Sequence, residues 1–248
     1  MRLRERFAHA ARGALGLIFH EACAGCGAAG SGPLCVACMG DVRLRPRNLC
    51  AMCARPLDFD YAIETGAEYE CGACRADPPP YDAACWALYY EGAARELVHA
   101  FKFSGRRGLA KPLALLAGEV LEPWLLARPG AVIVPAPLSW RRLYARGYNH
   151  AYLLARALAR RTGHEVIEDA VRRVRHTPPQ FGLNIKERAA NVKGAFCVVK
   201  PAALEGRDVI VFDDILTTGA TVTELAKVIR KIKPASVAVA AALRAGEV

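Results

Sequence analysis

The chain has 248 residues, of which 53% are apolar and 23% are charged, a balance typical of a globular protein and not of a disordered one. Its apolar runs are all shorter than the roughly 20 residues that span a bilayer, which excludes a transmembrane helix. The formal net charge is +10, and residues 139–193 carry +8 of it, with 12 Lys and Arg against 4 Asp and Glu. Such a concentration favours a polyanionic ligand, either polyphosphate or nucleic acid, although a solvated basic surface is the alternative.

Residues 1–22 open the chain with a basic start and a short apolar part. That apolar part, residues 14–19, is too short for the hydrophobic region of a signal peptide, and a cysteine cluster follows where a cleavage site would be expected. We therefore predict an amphipathic helix over residues 1–22 and a cytoplasmic protein.

Eight of the ten cysteines form four CxxC pairs within residues 23–74. The pairs are Cys23 with Cys26, Cys35 with Cys38, Cys50 with Cys53, and Cys71 with Cys74. Because the two thiolates of a CxxC turn converge on one tetrahedral ion, two such pairs close a four-cysteine zinc site. We predict two structural zinc ions, with sequential and interleaved pairing of the motifs both open.

Three other uses of a CxxC motif compete with zinc. Disulfides are disfavoured by a reducing cytoplasm and by four identical spacings. An Fe–S cluster would need different spacings, and a thioredoxin-like redox pair would need a βαβ context. A segment of about 60 residues with little hydrophobic periodicity would be marginal without metal, which fits a zinc-dependent fold. The pattern leaves open whether this module docks on nucleic acid or protein, or only stabilises the chain.

The sequence Pro78, Pro79, Pro80 is a stiff connector that ends the cysteine-rich composition. It predicts a double zinc-ribbon module over residues 23–80 and a second domain over residues 81–248. In the second domain, strands are predicted at residues 84–90, 131–134, 166–174, 195–199, 209–212 and 236–243, and helices at residues 93–101, 109–126, 149–161 and 221–233. Short apolar strands alternating with helices predict an α/β fold, a parallel sheet with helices on both faces.

Polar residues follow the apolar strand predicted at residues 209–212. The first two, Asp213 and Asp214, suit a ligand with paired donors, such as the 2′- and 3′-hydroxyls of a ribose, or a ligand that carries a cation. A turn that opens the next helix comes after them, and its residues are Thr217, Thr218, Gly219, Ala220 and Thr221. Because N–H groups and the dipole at a helix N-terminus favour a phosphate, we predict a ribose 5-phosphate site here. The alternative is a helix cap beside two exposed aspartates.

Residues 209–221, VIVFDDILTTGAT, resemble the PRPP-binding motif of type I phosphoribosyltransferases along their whole length. The chain, with tandem CxxC pairs ahead of this domain, is similar to the ComF family of ComF-like and GntX-like proteins. The resemblance extends to Lys102 in FKFSG, to PAPLSWRRLYARGYNHAYLLA and to RRVRHTPPQFGLNIKERAANVKGAF. It implies a type I phosphoribosyltransferase-like fold that binds PRPP or a compound containing ribose 5-phosphate.

The resemblance also implies roles for single residues. Asp213 and Asp214 would hold the ribose hydroxyls, and the turn at residues 217–221 would cradle the 5-phosphate. The loop over residues 135–142, which begins with Pro135 and Ala136, would bind pyrophosphate, and its bond between Ala136 and Pro137 could be cis. The cations that would neutralise the pyrophosphate, together with a bridging Mg²⁺, are Arg141, Arg142 and Arg146, with Lys102 as an additional phosphate contact.

A polar segment between residues 175 and 191 resembles the flexible loop that closes over substrate in phosphoribosyltransferases. Its candidate contacts are Arg175, Thr177, Gln180, Lys186, Arg188 and Asn191. Asn149 is expected to cap the helix that follows it, a role as plausible as a ligand contact. For each basic residue taken singly, an exposed salt bridge is the alternative.

Three functions fit these expectations. The first is a Mg²⁺-dependent phosphoribosyltransferase that transfers phosphoribosyl to a nucleobase-like acceptor. The second, implied by the ComF resemblance, is a competence protein that binds single-stranded DNA through its basic surface and zinc ribbons and works with the DNA-uptake machinery. The third is a regulator that senses PRPP without turnover.

Overall fold

A computed structural model of the protein describes residues 22–30, 32–57, 69–175, 177 and 184–246. The amphipathic helix predicted for residues 1–22 lies outside these residues, apart from Ala22. Within the described ranges, no helix combines the length and the apolar character needed to cross a membrane.

The described residues form seven strands. They are β1 (Ala83–Tyr89), β2 (Val132–Pro135), β3 (Glu165–Val166), β4 (Val171–Arg173), β5 (Phe196–Val198), β6 (Asp208–Leu216) and β7 (Ser236–Arg244). Five of them form one parallel sheet in the order β1-β7-β6-β2-β3. The other two, β4 and β5, pair antiparallel in a separate small sheet.

Eight α-helices accompany these strands in the described residues. They are α1 (Val36–Gly40), α2 (Gly72–Ala76), α3 (Gly92–Phe103), α4 (Ala110–Leu126), α5 (Trp140–Arg146), α6 (His150–Thr162), α7 (Ile185–Val192) and α8 (Ala220–Arg230). Helices α4 and α6 pack on each other and on the sheet, and α8 packs against β6 and β7. Consecutive residues of β6, from Val209 to Phe212, are all buried. Because successive side chains of a strand point to opposite faces, the sheet is covered on both, and the predicted α/β architecture is confirmed.

The structure differs from the predicted elements in three respects. Strand β6 does not end at Phe212 but continues to Leu216, because β7 pairs alongside it as far as Leu216 with Arg244. The single strand predicted at residues 166–174 is two strands, β3 and β4, that belong to different sheets. Helices α1, α2, α5 and α7 were not predicted, and α7 lies in the segment expected to be a loop, where Asn184 and Glu187 form a capping box.

The cysteine-rich segment packs on the outer edge of the parallel sheet, along β1. The Arg45 N–H donates to the Ala87 carbonyl at 2.8 Å, and the Tyr89 N–H donates to the Arg43 carbonyl at 2.9 Å. The buried Trp86 indole donates to the Ala54 carbonyl at 2.6 Å. These contacts cover an edge whose backbone groups would otherwise be unpaired. The boundaries at residues 23–80 and 81–248 stay a prediction.

Candidate functional site

Asp213 and Asp214 lie in the last part of β6, half-buried beside the last turn of α3. The Lys102 Nζ is 2.8 Å from Asp214 Oδ2, and the Asp214 N–H donates to Asp213 Oδ1 at 2.8 Å. Burial, and then the charge of Asp214, raises the pKa of Asp213 to about 7. Burial acts the same way on Asp214, but the Lys102 ammonium, together with His150 and Arg146, outweighs it and holds the pKa of Asp214 below its usual range. The adjacent carboxyls therefore differ in charge near neutral pH.

The turn after β6 opens helix α8 with a glycine. Gly219 occupies the N-cap position with φ +77°, and no side chain caps the helix from that position. A Cβ at Gly219 would meet only Val222 Cγ2, at 4.0 Å, so the backbone conformation and not crowding requires glycine. The Ala220 N–H donates to Thr218 Oγ1 at 3.4 Å. The first turn of α8 thus presents backbone donors beside the two aspartates, as an anion site needs.

A cavity of about 470 Å³ lies at this edge of the sheet, a size suited to a small phosphorylated ligand. The predicted site residues that line it are Lys102, Ala136, Arg142, Arg146, Arg188, Asp213, Asp214, Thr217, Gly219, Ala220 and Thr221. The predicted residues that are not among its lining are Pro135, Arg141, Arg175, Thr177, Lys186, Asn191 and Thr218. The structure therefore brings together side chains that the chain carries on α3, α5, α7, β6 and α8.

The loop after β2 is held in place by backbone and amide hydrogen bonds. The Ala136 N–H donates to the Phe212 carbonyl at 2.8 Å, and Asn149 Nδ2 donates to the Ala136 carbonyl at 3.1 Å. Asn149 Oδ1 also accepts from the Tyr152 N–H at 3.3 Å, which confirms the predicted cap of α6. The bond between Ala136 and Pro137 is trans, so the cis bond considered for this loop is not present.

Arg173, on β4, lines the cavity and was not among the predicted site residues. Its Nη2 donates to the hydroxyl of the buried Thr177, and Arg142 Nη2 donates to the Thr177 carbonyl at 3.2 Å. Burial, and then the charge of Arg142, lowers the pKa of Arg173 to about 10. Thr177 therefore holds the guanidinium groups of Arg142 and Arg173 close together, and two such cations favour the binding of an anion. The alternation of side chains along β4 could have indicated this role, because it puts Arg173 on the same face as the buried Val171.

Arg175 and Arg141, by contrast, have other partners. Arg175 Nη2 donates to the carbonyls of Asn191 and Lys193, at 3.0 and 2.6 Å, and so ties the start of the predicted flexible loop to the end of α7. The Arg141 guanidinium lies 5.3 Å from the ring centroid of the exposed Trp140. Gln180, the remaining loop candidate, lies outside the described residues.

The eight paired cysteines form two separate groups, and the pairing is sequential. One group is Cys23, Cys26, Cys35 and Cys38, the other Cys50, Cys53, Cys71 and Cys74, and the Sγ atoms of each lie within 4.8 Å of one another. The Sγ atoms of Cys26 and Cys35 are 3.8 Å apart, far beyond a disulfide bond. Four sulfurs about 2.3 Å from a tetrahedral zinc ion are separated by about 3.8 Å, so the groups fit that metal.

Backbone donors orient these sulfurs. The Cys35 N–H donates to Cys23 Sγ at 3.3 Å, and in the second group the Cys71 N–H donates to Cys50 Sγ at 3.2 Å. Such bonds stabilise thiolates and fix ligands in place around a metal. The same arrangement recurs in both groups, which indicates two sites of one kind.

Comparison with known proteins places these features in a family. A model of the phosphoribosyl transferase domain matches residues 146–247. The chain is 33% identical over 209 residues to the competence protein F of Haemophilus influenzae, covering 80% of this chain and 91% of that protein. It is 33% identical over 217 residues to the DNA utilization protein YhgH of Escherichia coli K12, covering 83% and 94%. A solved hypoxanthine phosphoribosyltransferase from Staphylococcus aureus aligns with 58% of this chain and 65% of its own, at 14% identity and a TM-score of 0.34.

Proposed function

Since the chain belongs to the ComF family of proteins with a phosphoribosyltransferase-like domain, we propose that it binds PRPP or another ribose 5-phosphate compound in the cavity beside Asp213 and Asp214. One observation carries the proposal: two carboxyls and the N-terminus of α8 face the same cavity. A ribose phosphate offers complementary groups, hydroxyl donors at one end and a phosphate acceptor at the other.

The carboxyls of Asp213 and Asp214 would accept hydrogen bonds from the 2′- and 3′-hydroxyls of the ribose. Lys102 keeps Asp214 charged and oriented for this purpose. A ribose hydroxyl that donates to Asp213 would also favour its ionised form, because a hydrogen bond to a carboxylate stabilises its charge. Ligand binding is therefore expected to lower the pKa of Asp213.

The 5-phosphate would lie at the first turn of α8. Backbone N–H groups at a helix N-terminus bind phosphate through hydrogen bonds and the helix dipole together. Hydroxyls of Thr217 and Thr221, which line the cavity, add donors. Thr218, which does not line it, accepts from the Ala220 N–H and so shapes the turn instead.

The diphosphate would lie among the cavity's arginines, which are Arg142, Arg146, Arg173 and Arg188. They come from three segments, α5, β4 and α7. Guanidinium groups bind phosphate oxygens in a bidentate manner, so arginines on several sides of one cavity suit a diphosphate. Mg²⁺, when bound to the diphosphate, would supply further neutralising charge. Contacts from Arg141, Arg175 and Lys186 remain predictions that would require these residues to move.

If the site turns over, a nitrogen of the acceptor would attack the anomeric carbon of PRPP. The new C–N bond forms as the C–O bond to pyrophosphate breaks, and pyrophosphate leaves with the bonding electrons. The residues of this chain would contribute by holding the ribose and by stabilising the charge that develops on the leaving group. The acceptor is expected to be nucleobase-like.

DNA handling is the second candidate function, and a specific surface favours it. Helix α5 buries none of its side chains, and Trp140 and Tyr144 are 69% and 88% exposed. Arginines flank them on the same helix, and aromatic rings beside positive charge can stack the bases of a single strand. The names of the two relatives above, a competence protein and a DNA utilization protein, agree with this function and with a partner in the DNA-uptake machinery.

The two cysteine groups are proposed to hold one structural zinc ion each. Four thiols complete each coordination shell, so the sites have no open position for a substrate. When bound, zinc would stabilise a segment with few apolar side chains to bury.

Calorimetric titration of the full chain with PRPP and Mg²⁺ tests the main proposal. We expect saturable binding that Asp213→Ala and Asp214→Ala weaken at least about tenfold, the loss expected for hydrogen bonds to charged groups. Asp208→Ala, an exposed aspartate at the other end of β6, is the matched control and should leave binding unchanged. Binding equal in all four proteins would refute the assigned site.

Pyrophosphate release in the presence of a panel of nucleobases then separates the functions. Release with one acceptor supports a phosphoribosyltransferase, and PRPP binding without release supports a sensor. Salt-dependent binding of single-stranded DNA that Trp140→Ala with Tyr144→Ala abolishes would support DNA handling.

A further inference from the structure

Helix α3 begins against the cysteine-rich module and not with a cap of its own. Glu91 stands at its N-cap position but makes no side-chain cap hydrogen bond, and the first turn holds no acidic residue. Instead, the Asp41 carboxylate accepts a hydrogen bond from the Ala93 N–H at 2.8 Å. Asp41 directly follows α1, in the segment that carries the first cysteine group. A residue of the module thus satisfies a backbone donor that α3 cannot satisfy itself.

The approach of Asp41 to α3 depends on two glycines. Gly92 has φ +47°, and a Cβ at this position would collide with the Asp41 carboxylate. Gly25 lies between the first two cysteines, where a Cβ would be 3.3 Å from the Ala93 Cβ and 3.2 Å from the Cys38 Cβ. The first cysteine group and Asp41 therefore pack together on the first turn of α3.

The other end of α3 carries Lys102, whose Nζ is 2.8 Å from Asp214 Oδ2. Nine residues separate Ala93 from Lys102, which in a helix is a rise of about 14 Å. A straight helix of this length transmits an axial shift at its first turn to its last one. The apolar face of α3, which includes Leu97 and Phe101, fixes its distance from the core. The directional hydrogen bond to Asp41 restricts sliding along the axis.

We propose that Asp41 is a positioning residue for Lys102: by capping α3 from the cysteine-rich module, it sets how closely the Lys102 ammonium approaches the Asp214 carboxylate. The effect of Asp41 on ligand binding rests on the proposed function. The positioning of Lys102 by Asp41 does not depend on that function. A carboxylate at the N-terminus of α3 is also favoured by the helix dipole. The cysteine-rich module therefore acts on the candidate site through α3, without lining its cavity.

The first test needs no ligand and follows the titration of the Asp214 carboxyl by ¹³C NMR in the full chain, with Asp214→Asn to assign the signal. Lys102 holds the pKa of Asp214 down, so retracting the ammonium moves the titration to higher pH. We expect Asp41→Ala to produce this upward move. Asp41→Asn keeps an oxygen acceptor and should restore the original titration. Asp77→Ala, an exposed acid at the end of α2, should leave it unchanged.

Other groups that act on this carboxyl are the same in all these variants. Asp213, Arg146 and His150 face Asp214 from β6, α5 and α6, and none of them is replaced. A difference between Asp41→Ala and Asp41→Asn therefore reports on α3 and its Lys102.

The second test measures the dissociation constant of PRPP in the presence of Mg²⁺. We expect Asp41→Ala to raise it roughly fivefold, the equivalent of one lost helix cap. In a Lys102→Met background, Asp41→Ala should change the dissociation constant less than about twofold. Both substitutions act through the Lys102 ammonium, so their effects are not additive.

Two outcomes separate the inference from the proposed function. If Asp41→Ala lowers the melting temperature while the Asp214 titration stays in place, Asp41 is only a structural cap and the inference is wrong. If the titration moves but the wild-type chain does not bind PRPP, the positioning is supported and the proposed function fails.

Discussion

The Lys102 ammonium and the Asp214 carboxylate form an ion pair of 2.8 Å between the last turn of α3 and the far end of β6. Both side chains are about one-seventh exposed, so neither charge is fully hydrated. The pair distinguishes two chemically identical neighbours, because the pKa of Asp214 is lowered while that of Asp213 is raised to about 7. This asymmetry leads to the first two predictions.

Replacing Lys102 by Met removes the cation and leaves the Asp214 carboxylate buried without it. We expect the free energy of unfolding at pH 7 to fall by about 2 kcal/mol, as for other buried groups that lose a partner. The pKa of Asp214 is depressed, so the stabilisation is present above the ordinary aspartate pKa and is lost as the pH falls. The difference from wild type should therefore shrink below about pH 4. Urea unfolding at several pH values measures this, with Lys111→Met, an exposed lysine on α4, as control.

Asp213→Asn is expected to act in the opposite direction. The raised pKa of Asp213 means that the folded protein holds a proton between about pH 4 and 7 that the unfolded chain has released. Wild-type stability therefore falls as the pH rises through this window. Asparagine removes this dependence and keeps the acceptor for the Asp214 N–H, so the variant should be more stable than wild type at pH 8, by about 1–3 kcal/mol. Equal destabilisation at pH 5 and pH 8 in urea unfolding would contradict the assignment.

Arg173→Gln and Arg175→Gln should have different consequences. Arg173 lines the cavity near Arg142, so its loss should weaken PRPP binding by roughly tenfold, the value of a charge-assisted hydrogen bond, with little loss of stability. Arg175 bonds to two carbonyls at the end of α7, so its loss should lower stability first. Titration calorimetry and thermal unfolding of both variants measure the two effects. The opposite ranking, with Arg175 dominating affinity, would favour the contact role expected from the sequence.

Metal analysis of the full chain under reducing conditions should find two zinc ions per chain. Cys38→Ala breaks one sequential group and should leave one ion, whereas Cys197→Ala, outside both groups, should leave two. Retention of two ions in Cys38→Ala would mean that Cys38 is not a required zinc ligand. A content of zero in wild type would refute the metal sites altogether.

Local patterns were sufficient for several parts of this fold. The buried strands β2, β6 and β7 were predicted because uninterrupted apolar residues mark a strand covered on both faces. The turn before α8 was predicted from its Thr, Gly and Ala residues, which come shortly after two adjacent aspartates. Helix α5 was missed because none of its side chains is buried, so its sequence lacks the apolar periodicity of a packed helix.

Long-range pairing decided what those patterns left open. The extension of β6 through both aspartates depends on β7, which follows it in the sequence and lies beside it in the sheet. The face on which Arg173 lies follows from the period-2 pattern of its strand, but the pairing of β4 with β5 does not. The residues around the aspartates do not show that β6 pairs with β7, and the residues around the arginines do not show that β4 pairs with β5.

The sequence by itself determined the chemical groups of this protein: eight thiols in four equal pairs, two adjacent carboxyls, and a glycine-containing turn at the start of a helix. Those properties are local, because they follow from spacing along a few residues. Only the tertiary structure decided which groups meet. It closed the thiols into two sequential groups, paired Lys102 with Asp214, and set Asp41 on the first turn of α3. Such contacts join residues far apart in the chain, and they form only when the elements that carry them pack against one core.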